Sequence, residues 1–142
     1  MRLETLAIHA GAEADSETGA VASPMHLSTT FKHGPAGERV AGYEYQREAN
    51  PTQDRLEECL SALEGGERAL AYASGMAAMH GLLESLPNDS HVLIPNDCYT
   101  GLRYLGKEFL NLRGIETQML DMSNLASVRA ALKANTKLIW AE

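Results

Sequence analysis

The carboxyl-terminal half of the sequence alternates short apolar runs with longer amphipathic runs. The apolar runs predict strands at residues 68–73, 91–95, 115–120 and 137–141. The intervening segments predict helices at residues 76–86, 100–112 and 125–132. In the second of these helices Leu112 is expected to point inward, and Asp121 or Ser123 is expected to cap the third. This alternation favours an α/β fold, in which a mostly parallel sheet has helices on both faces. Ligands of such sheets bind beyond the carboxyl ends of strands, which here are Ser74–Met76, Asn96–Gly101 and Glu142.

The first of these places is a strand-to-helix turn with the sequence Ala73-Ser74-Gly75-Met76. The first amides of a helix have no acceptor within the helix, and the helix dipole adds positive potential there, so a phosphate can bind. Gly75 has no Cβ to keep an anion away from the main chain. Alternatively, Ser74 only caps the helix and Gly75 only relieves a tight turn. The turn alone leaves both interpretations open.

A second polar constellation is the segment Tyr43-Glu44-Tyr45-Gln46-Arg47-Glu48. In an extended chain alternate side chains share a face, so Tyr43, Tyr45 and Arg47 are expected to project together. A guanidinium fork beside a phenol suits a phosphate. An exposed strand with an aromatic–cation contact is the alternative.

The loop after the predicted strand 91–95 carries Tyr99. An aromatic side chain at a strand's carboxyl end can stack on a ring-shaped ligand, and a half-buried ring with a solvated hydroxyl is the alternative. No base partner for the neighbouring Cys98 is placed by the sequence, so we expect a small buried thiol rather than a nucleophile.

Residues 1–49 show no pattern that could form a core of its own. Glycine, proline and acidic residues mark loops at 11–18 and 33–42. We therefore expect an extended arm over residues 1–49 that packs on a neighbouring subunit or on the following domain. Residues 50–142 are expected to be the first, incomplete part of an α/β domain. Its first helix should begin at Asn50-Pro51, with Gln53 completing a capping box, and end at Gly65-Gly66.

Charge and motif content argue against several classes of function. The net charge is −7 and the basic residues are scattered, which disfavours nucleic-acid and acidic-membrane binding. There is no membrane-length apolar run, no dinucleotide or P-loop motif, no hydrolase elbow, and no metal-ligand spacing among the five histidines. The two cysteines suit a reducing compartment. We therefore predict a cytoplasmic protein without a metal site, a membrane partner or a nucleic-acid partner.

Five motifs follow one another along nearly the whole chain. They are Leu6-Ala7-Ile8-His9-Ala10-Gly11, Tyr43-Glu44-Tyr45-Gln46-Arg47-Glu48-Ala49-Asn50-Pro51-Thr52, Leu63-Glu64-Gly65-Gly66, Ser74-Gly75-Met76-Ala77-Ala78 and Thr136-Lys137-Leu138-Ile139-Trp140-Ala141-Glu142. In this order the chain resembles the Cys/Met-metabolism pyridoxal-phosphate enzymes, a family that includes cystathionine γ-synthase, cystathionine γ-lyase, cystathionine β-lyase and methionine γ-lyase. The resemblance implies the fold-type-I transferase-like architecture of pyridoxal 5'-phosphate (PLP) enzymes.

The resemblance also implies roles for five residues. Gly75 and Met76 would donate main-chain amides to the phosphate of PLP. Tyr45 and Arg47 would reach the phosphate bound in a neighbouring subunit. Tyr99 would stack on the pyridine ring and help to deprotonate the amine of the substrate, which makes it the one catalytic candidate.

The implied function is a PLP-dependent lyase or transferase of sulfur amino-acid metabolism. It would act on a small amino-acid substrate by γ-replacement or γ-elimination on homoserine esters or cystathionine, within a homo-oligomer built as a dimer of dimers. Cystathionine β-lyase and methionine γ-lyase chemistry are alternatives, and a truncated, non-catalytic oligomerisation domain is the alternative of another class.

Two departures from the family pattern limit what the resemblance implies. The segment Thr100-Gly101-Leu102 replaces the usual Gly-Gly-Thr, which leaves the contacts to substrate near this loop open. The family's Schiff-base lysine, its pyridine-pairing aspartate and its substrate-binding arginine lie beyond Glu142. The chain therefore matches the amino-terminal part of the family, and by itself it is not expected to catalyse. No role is implied for Glu142.

Overall fold

A computed structural model describes residues 2–142, which form two compact units. The first unit extends to Ala71, and the second runs from Tyr72 to Glu142. Residues 2–49 therefore lie in the same unit as the helix that follows them. The arm that packs on a neighbouring subunit stays a prediction. Across the described residues, no helix has both the length and the apolar character needed to span a bilayer.

Between residues 2 and 71 the first unit has two helices, α1 (Leu3–His9) and α2 (Pro51–Glu64). The long connection between them contains two isolated antiparallel bridges, one of which joins Thr30 to Tyr45. Helix α1 packs on α2, and buried Gly11 lies where the two approach. Gly11 has a φ of +68°, and a Cβ there would overlap the carbonyl oxygen of Arg55. This glycine allows the chain after α1 to touch the main chain of α2.

Helix α2 begins and ends where the sequence predicts. The Asn50 side chain accepts a hydrogen bond from the Thr52 amide at 2.9 Å, and Gly65 ends the helix in the left-handed conformation at a φ of +65°. The predicted capping box is wrong, because Gln53 donates instead to the Glu57 carboxylate at 2.9 Å.

The second unit is an α/β structure, which confirms the predicted fold class. Its helical segments are α3 (Gly75–Glu84), α4 (Thr100–Tyr104), a π-helical turn (Leu105–Phe109), a 3-10 turn (Leu110–Arg113) and α5 (Leu125–Ala131). Its strands are β1 (His91–Pro95), β2 (Glu116–Leu120) and β3 (Thr136–Ile139). The three strands are parallel in the order β2-β1-β3.

Strand β1 is the centre of the core. All five of its residues are buried, and it pairs with a strand on each side. The apolar residues buried around it are Leu83, Leu86, Cys98, Leu102, Leu110 and Ile115. A continuous apolar run is typical of such a strand, because both of its faces are covered.

Arg113 ties the carboxyl end of α3 to the segment before β2. Its guanidinium donates to the carbonyl oxygens of Leu83 at 3.3 Å, Glu84 at 3.2 Å and Leu86 at 2.7 Å, and to the Asn88 side chain at 3.2 Å. These acceptors include carbonyls that a helix end leaves without partners. Arg113 therefore fixes the helix whose other end faces the candidate site.

The predicted strand at residues 68–73 is wrong. The segment is not paired with any strand of residues 2–142, and Leu70 is 68% exposed. Among the described residues, the one side chain that forms a hydrogen bond with this segment is Glu57, whose carboxylate accepts the Ala71 amide at 2.8 Å. An apolar run predicts that a segment is buried, but it does not show whether a partner strand is present. The sequence pattern therefore predicted one strand too many.

The single helix predicted at residues 100–112 is interrupted. It was expected to point Leu112 inward, but Leu112 is 86% exposed and Leu110 is buried. The cause is the π-helical turn at Leu105–Phe109, since a π turn takes more residues than an α turn and shifts the apolar face. The cap of α5 also differs, because Asn124 rather than Asp121 or Ser123 accepts from the helix, at the Ser127 amide.

Candidate functional site

The amino terminus of α3 combines a side-chain cap with unpaired main-chain donors. The Ser74 hydroxyl accepts the Ala77 amide at 3.1 Å, which confirms the capping interpretation. Within residues 2–142, the amides of Gly75 and Met76 have no acceptor. A Cβ built on Gly75 would meet no atom within 4 Å beyond its own chain neighbours and helix backbone. The cap therefore leaves room and donors for an anion.

Tyr99 lies on the loop beyond the carboxyl end of β1, at the N-cap position of α4. Its side chain is 54% exposed, and its carbonyl accepts the Leu102 amide at 3.0 Å. The ring is thus half accessible, as the alternative interpretation expected, while its main chain is held in the first turn of a helix. Both properties suit a side chain that presents a flat face to a ligand.

Gly101 is the point at which the α3 terminus and the Tyr99 loop meet. A Cβ at Gly101 would overlap the Met76 sulfur and lie 2.6 Å from Cε1 of Tyr99. The thioether and the phenol ring therefore both pack against the bare Cα of this glycine. The structure thus brings together three of the predicted site residues, Gly75, Met76 and Tyr99. The importance of Gly101 was missed, although a glycine two positions after the aromatic residue was visible in the sequence.

Cys98, next to Tyr99, is only 5% exposed, which confirms the predicted buried thiol. Burial raises the pKa of this thiol, and the nearby Glu142 carboxylate raises it further. The uncharged thiol is a poor nucleophile, so Cys98 has no support as a catalytic group.

Tyr45 and Arg47 lie in the first unit, where they contact each other. The extended segment ends at Tyr45, because residues 46–48 form a turn in which the Glu48 amide donates to the Tyr45 carbonyl at 2.9 Å. The turn places the guanidinium carbon of Arg47 4.4 Å from the centre of the Tyr45 ring. The predicted continuous extended segment is therefore wrong from Gln46 onward, and the predicted aromatic–cation contact is present.

Tyr43 is occupied elsewhere in the first unit. Its hydroxyl donates to the Asp54 carboxylate at 2.6 Å, and its ring centre lies 5.3 Å from that of Phe31. The hydrogen bond to Asp54, with burial, raises the pKa of Tyr43 to about 12. Tyr43 is therefore a structural residue that keeps its proton.

Arg39 pairs with the carboxylates on either side of Arg47 in the sequence. Its guanidinium lies 2.7 Å from Glu44 and 2.7 Å from Glu48. The bonded Glu44 carboxylate is the main cause of the raised pKa of Arg39. In the described part of the chain Arg47 itself forms no ion pair and is exposed. Its charge is therefore available to an external anion.

No metal centre is found among the described residues. Across residues 2–142, no three His, Cys, Asp or Glu side chains come together in a way that could hold a metal ion. The second unit instead offers main-chain amides beside an aromatic ring. The first unit, described by itself, offers a guanidinium stacked on a phenol ring.

A family model, two relatives and one crystal structure match this chain over nearly its whole length. Residues 4–142 match the family model described as Cys/Met metabolism PLP-dependent enzyme. A probable cystathionine gamma-synthase of Herpetosiphon aurantiacus is 41% identical over 97% of this chain, and a cystathionine beta-lyase of Lactococcus lactis subsp. cremoris is 38% identical over 99%. The crystal structure of metB from Corynebacterium glutamicum superposes on 99% of the chain with a TM-score of 0.91 at 39% identity. The chain spans 43%, 37% and 37% of these three proteins, respectively.

Proposed function

Because the chain belongs to the Cys/Met-metabolism PLP-dependent enzymes, we propose that the complete protein is a trans-sulfuration enzyme that uses pyridoxal 5'-phosphate. It catalyses γ-replacement or γ-elimination on homoserine esters or cystathionine. The observation that carries this proposal is the corner at which unpaired amides of Gly75 and Met76 meet the Tyr99 ring across Gly101. An anion site beside an accessible aromatic face fits a cofactor that has a phosphate and a flat ring.

Each residue of this corner has a defined task in the proposal. The amides of Gly75 and Met76 bind the phosphate, aided by the dipole of α3. The Tyr99 ring would stack on the pyridine ring, and its side-chain oxygen, in the phenolate form, would take a proton from the substrate's ammonium group. When bound, PLP supplies an electron sink, which accepts the electron pair that is left when a bond to a carbon of the amino acid is cleaved. The chain's own residues thus set orientation and protonation.

Tyr45 and Arg47 complete the phosphate site of a second copy in the proposal. The exposed Arg47 guanidinium, stacked on Tyr45, supports this role. Arg39 supports it too, because it pairs with Glu44 and Glu48 and leaves Arg47 without a competing carboxylate among the described residues. Arginine offers a planar fork of donors that matches a phosphate. The active protein is accordingly a homo-oligomer, as a dimer of dimers.

The compartment of the proposed enzyme is the cytoplasm. Cys59 and Cys98 are both free thiols, and Cys98 is buried in the core of the second unit. Unpaired cysteines suit a reducing compartment.

Cofactor affinity tests the phosphate role. In the complete protein, Arg47→Gln should weaken PLP binding in equilibrium dialysis about tenfold, as expected for the loss of a charge-assisted hydrogen bond. Lys32→Gln is the matched control, because Lys32 is an exposed cation in the same unit. Equal affinity of the Arg47 variant and the wild type would remove Arg47 from the site. If the complete protein bound no PLP at all, the non-catalytic oligomerisation domain would be the correct reading.

Product analysis tests the reaction. Cystathionine cleaved on the γ side gives cysteine, 2-oxobutanoate and ammonia, whereas cleavage on the β side gives homocysteine, pyruvate and ammonia. The proposal expects 2-oxobutanoate from cystathionine, or cystathionine from a homoserine ester and cysteine. Pyruvate as the main keto acid would favour the cystathionine β-lyase alternative. One relative of this chain carries that name. Methanethiol release from methionine would favour the methionine γ-lyase alternative.

A further inference from the structure

Glu142 connects the segment after β3 to the loop after β1. Its Oε1 accepts the Tyr99 amide at 3.1 Å, and its Oε2 accepts the indole N–H of Trp140 at 3.3 Å. The Trp140 amide donates to the Leu93 carbonyl at 2.8 Å, so the chain leading to Glu142 is itself fixed to β1. The carboxylate therefore joins the loop of Tyr99 to a rigid part of the sheet.

The bond to Glu142 completes the restraint of the Tyr99 main chain. The Tyr99 carbonyl already accepts amides of α4, those of Leu102 at 3.0 Å and Arg103 at 3.4 Å. With its amide on Glu142, both main-chain polar groups of Tyr99 have partners. A residue held at both groups has a fixed Cα–Cβ direction, and that direction sets where its ring can lie.

Local packing alone holds the ring less firmly. The Tyr99 ring rests against Gly101 and half of its side chain is exposed, so few contacts oppose its rotation about Cα–Cβ. The side chain of Met76 on the other side of Gly101 is flexible by nature. The orientation of the ring therefore depends on the main chain beneath it. Glu142 is the only side chain among residues 2–142 that accepts the Tyr99 amide.

We propose that Glu142 is a positioning residue, which holds the Tyr99 main chain so that the phenol ring faces the PLP bound at Gly75 and Met76. This inference rests on the proposed function, in which Tyr99 stacks on the cofactor. A carboxylate suits the task because a charged acceptor makes a stronger hydrogen bond to an amide than a neutral one does. One of its oxygens can hold Trp140 while the other holds Tyr99.

A double-mutant cycle on the complete, PLP-loaded protein tests the proposal. The variants are Tyr99→Ala, Glu142→Ala and the double variant, and the readouts are the dissociation constant for PLP from equilibrium dialysis and the visible circular dichroism of bound PLP. We expect Tyr99→Ala to weaken PLP binding about tenfold and Glu142→Ala about fivefold. The double variant should be no weaker than Tyr99→Ala, because Glu142 acts only through Tyr99.

Two further variants separate positioning from a general loss of structure. Glu142→Gln keeps an oxygen that can accept the Tyr99 amide, so it should restore PLP affinity to within about twofold of the wild type. Glu116→Gln removes a hydrogen-bonded carboxylate from β2, far along the strand from its carboxyl end, and should leave PLP affinity unchanged.

The outcomes distinguish this inference from the proposed function. If Tyr99→Ala leaves both the affinity and the dichroism unchanged, the stacking role fails, and the inference fails with it. If Tyr99→Ala has its effect but Glu142→Ala does not, only the positioning role is overturned. Additive losses in the double variant, or a Glu142→Gln variant as weak as Glu142→Ala, would also overturn it.

Discussion

The two compact units of the chain are stabilised in different ways. In the second unit, apolar side chains from β1 and the surrounding helical segments are fully buried. In the first unit, neither α1 nor α2 has a buried residue, and large apolar side chains such as Leu27 and Leu56 are exposed. The first unit relies on polar contacts instead, such as the hydrogen bond from the Asn50 side chain to the His26 carbonyl at 3.1 Å.

This difference determines how far each unit can be stable without another surface packed on it. Burial of apolar surface is the main favourable term in folding, so the second unit can hold the Gly75–Met76 corner and Tyr99 with its own core. The first unit keeps apolar surface that contributes stability only when another surface covers it. The contrast supports the proposal that Tyr45 and Arg47 lie against a second copy of the chain, whose phosphate site they complete.

A pair of leucines tests the comparison most strongly. Leu93 is completely buried in β1, whereas Leu56 on α2 is 51% exposed. In the 142-residue chain, Leu93→Ala should lower the free energy of unfolding by about 3 kcal/mol, and Leu56→Ala by less than about 0.5 kcal/mol. Urea-induced unfolding followed by circular dichroism measures both. Equal losses would contradict the contrast between the units. A larger loss for Leu56→Ala in the complete protein would sharpen it, since that result requires a cover over α2.

The hydrogen bonds of Arg113 test whether the second unit also depends on polar ties. Arg113→Ala should cost about 2 kcal/mol, because it removes charge-assisted bonds to the carbonyls at the end of α3. Amide hydrogen exchange should accelerate in α3. Arg129→Ala is the control, since Arg129 is exposed on α5 and has no ion pair within residues 2–142. If exchange in α3 is the same in the two variants, Arg113 is not the anchor that the geometry indicates.

Two glycines of the first unit test how much its close contacts contribute. Gly11 and Gly19 both have positive φ, but only Gly11 would bring a Cβ against the Arg55 carbonyl. Gly19→Ala should cost about 1 kcal/mol from the backbone alone, and Gly11→Ala about 1 kcal/mol more. Native-state hydrogen exchange of the α1 and α2 amides measures both costs. Identical costs would show that the contact between the chain after α1 and helix α2 adjusts freely.

The smallest effect is expected from an exposed ion pair in the second unit. The Lys133 ammonium lies 2.5 Å from the Glu116 carboxylate and lowers the pKa of that carboxyl. Because the folded-state pKa is lowered, the stabilisation is present above the ordinary glutamate pKa and is lost as the pH falls through the folded-state value. The melting temperature of the wild type should slightly exceed that of Glu116→Gln at pH 7, and the gap should close in acid. A gap that widens in acid would contradict this assignment.

The sequence correctly predicted the strand that is buried on both of its faces. The five-residue run His91–Pro95 predicted β1 at its observed bounds, because a central parallel strand is mostly apolar and four of these five residues are apolar. The caps were also predictable where one side chain satisfies a nearby amide, as Asn50 and Ser74 do. Local chemistry of this kind needs no knowledge of the rest of the fold.

The errors have a common physical cause, which is information that lies outside the local window. Residues 68–73 are apolar enough for a strand, but no pattern within them reports whether a partner is present. The π-helical turn at Leu105–Phe109 shifted the buried face from Leu112 to Leu110, and a 3.6-residue period cannot anticipate it. At the site, the meeting of Met76 and Tyr99 at Gly101 is a long-range contact that spacing could not supply.

The strand order β2-β1-β3 has a practical consequence for anyone who purifies this chain by itself. Among the described residues, β2 and β3 each have β1 as their only neighbouring strand, so each presents a row of free amides and carbonyls along its outer side. Such rows recruit strands from other molecules. A low protein concentration and a low temperature should therefore help to keep the purified chain in solution.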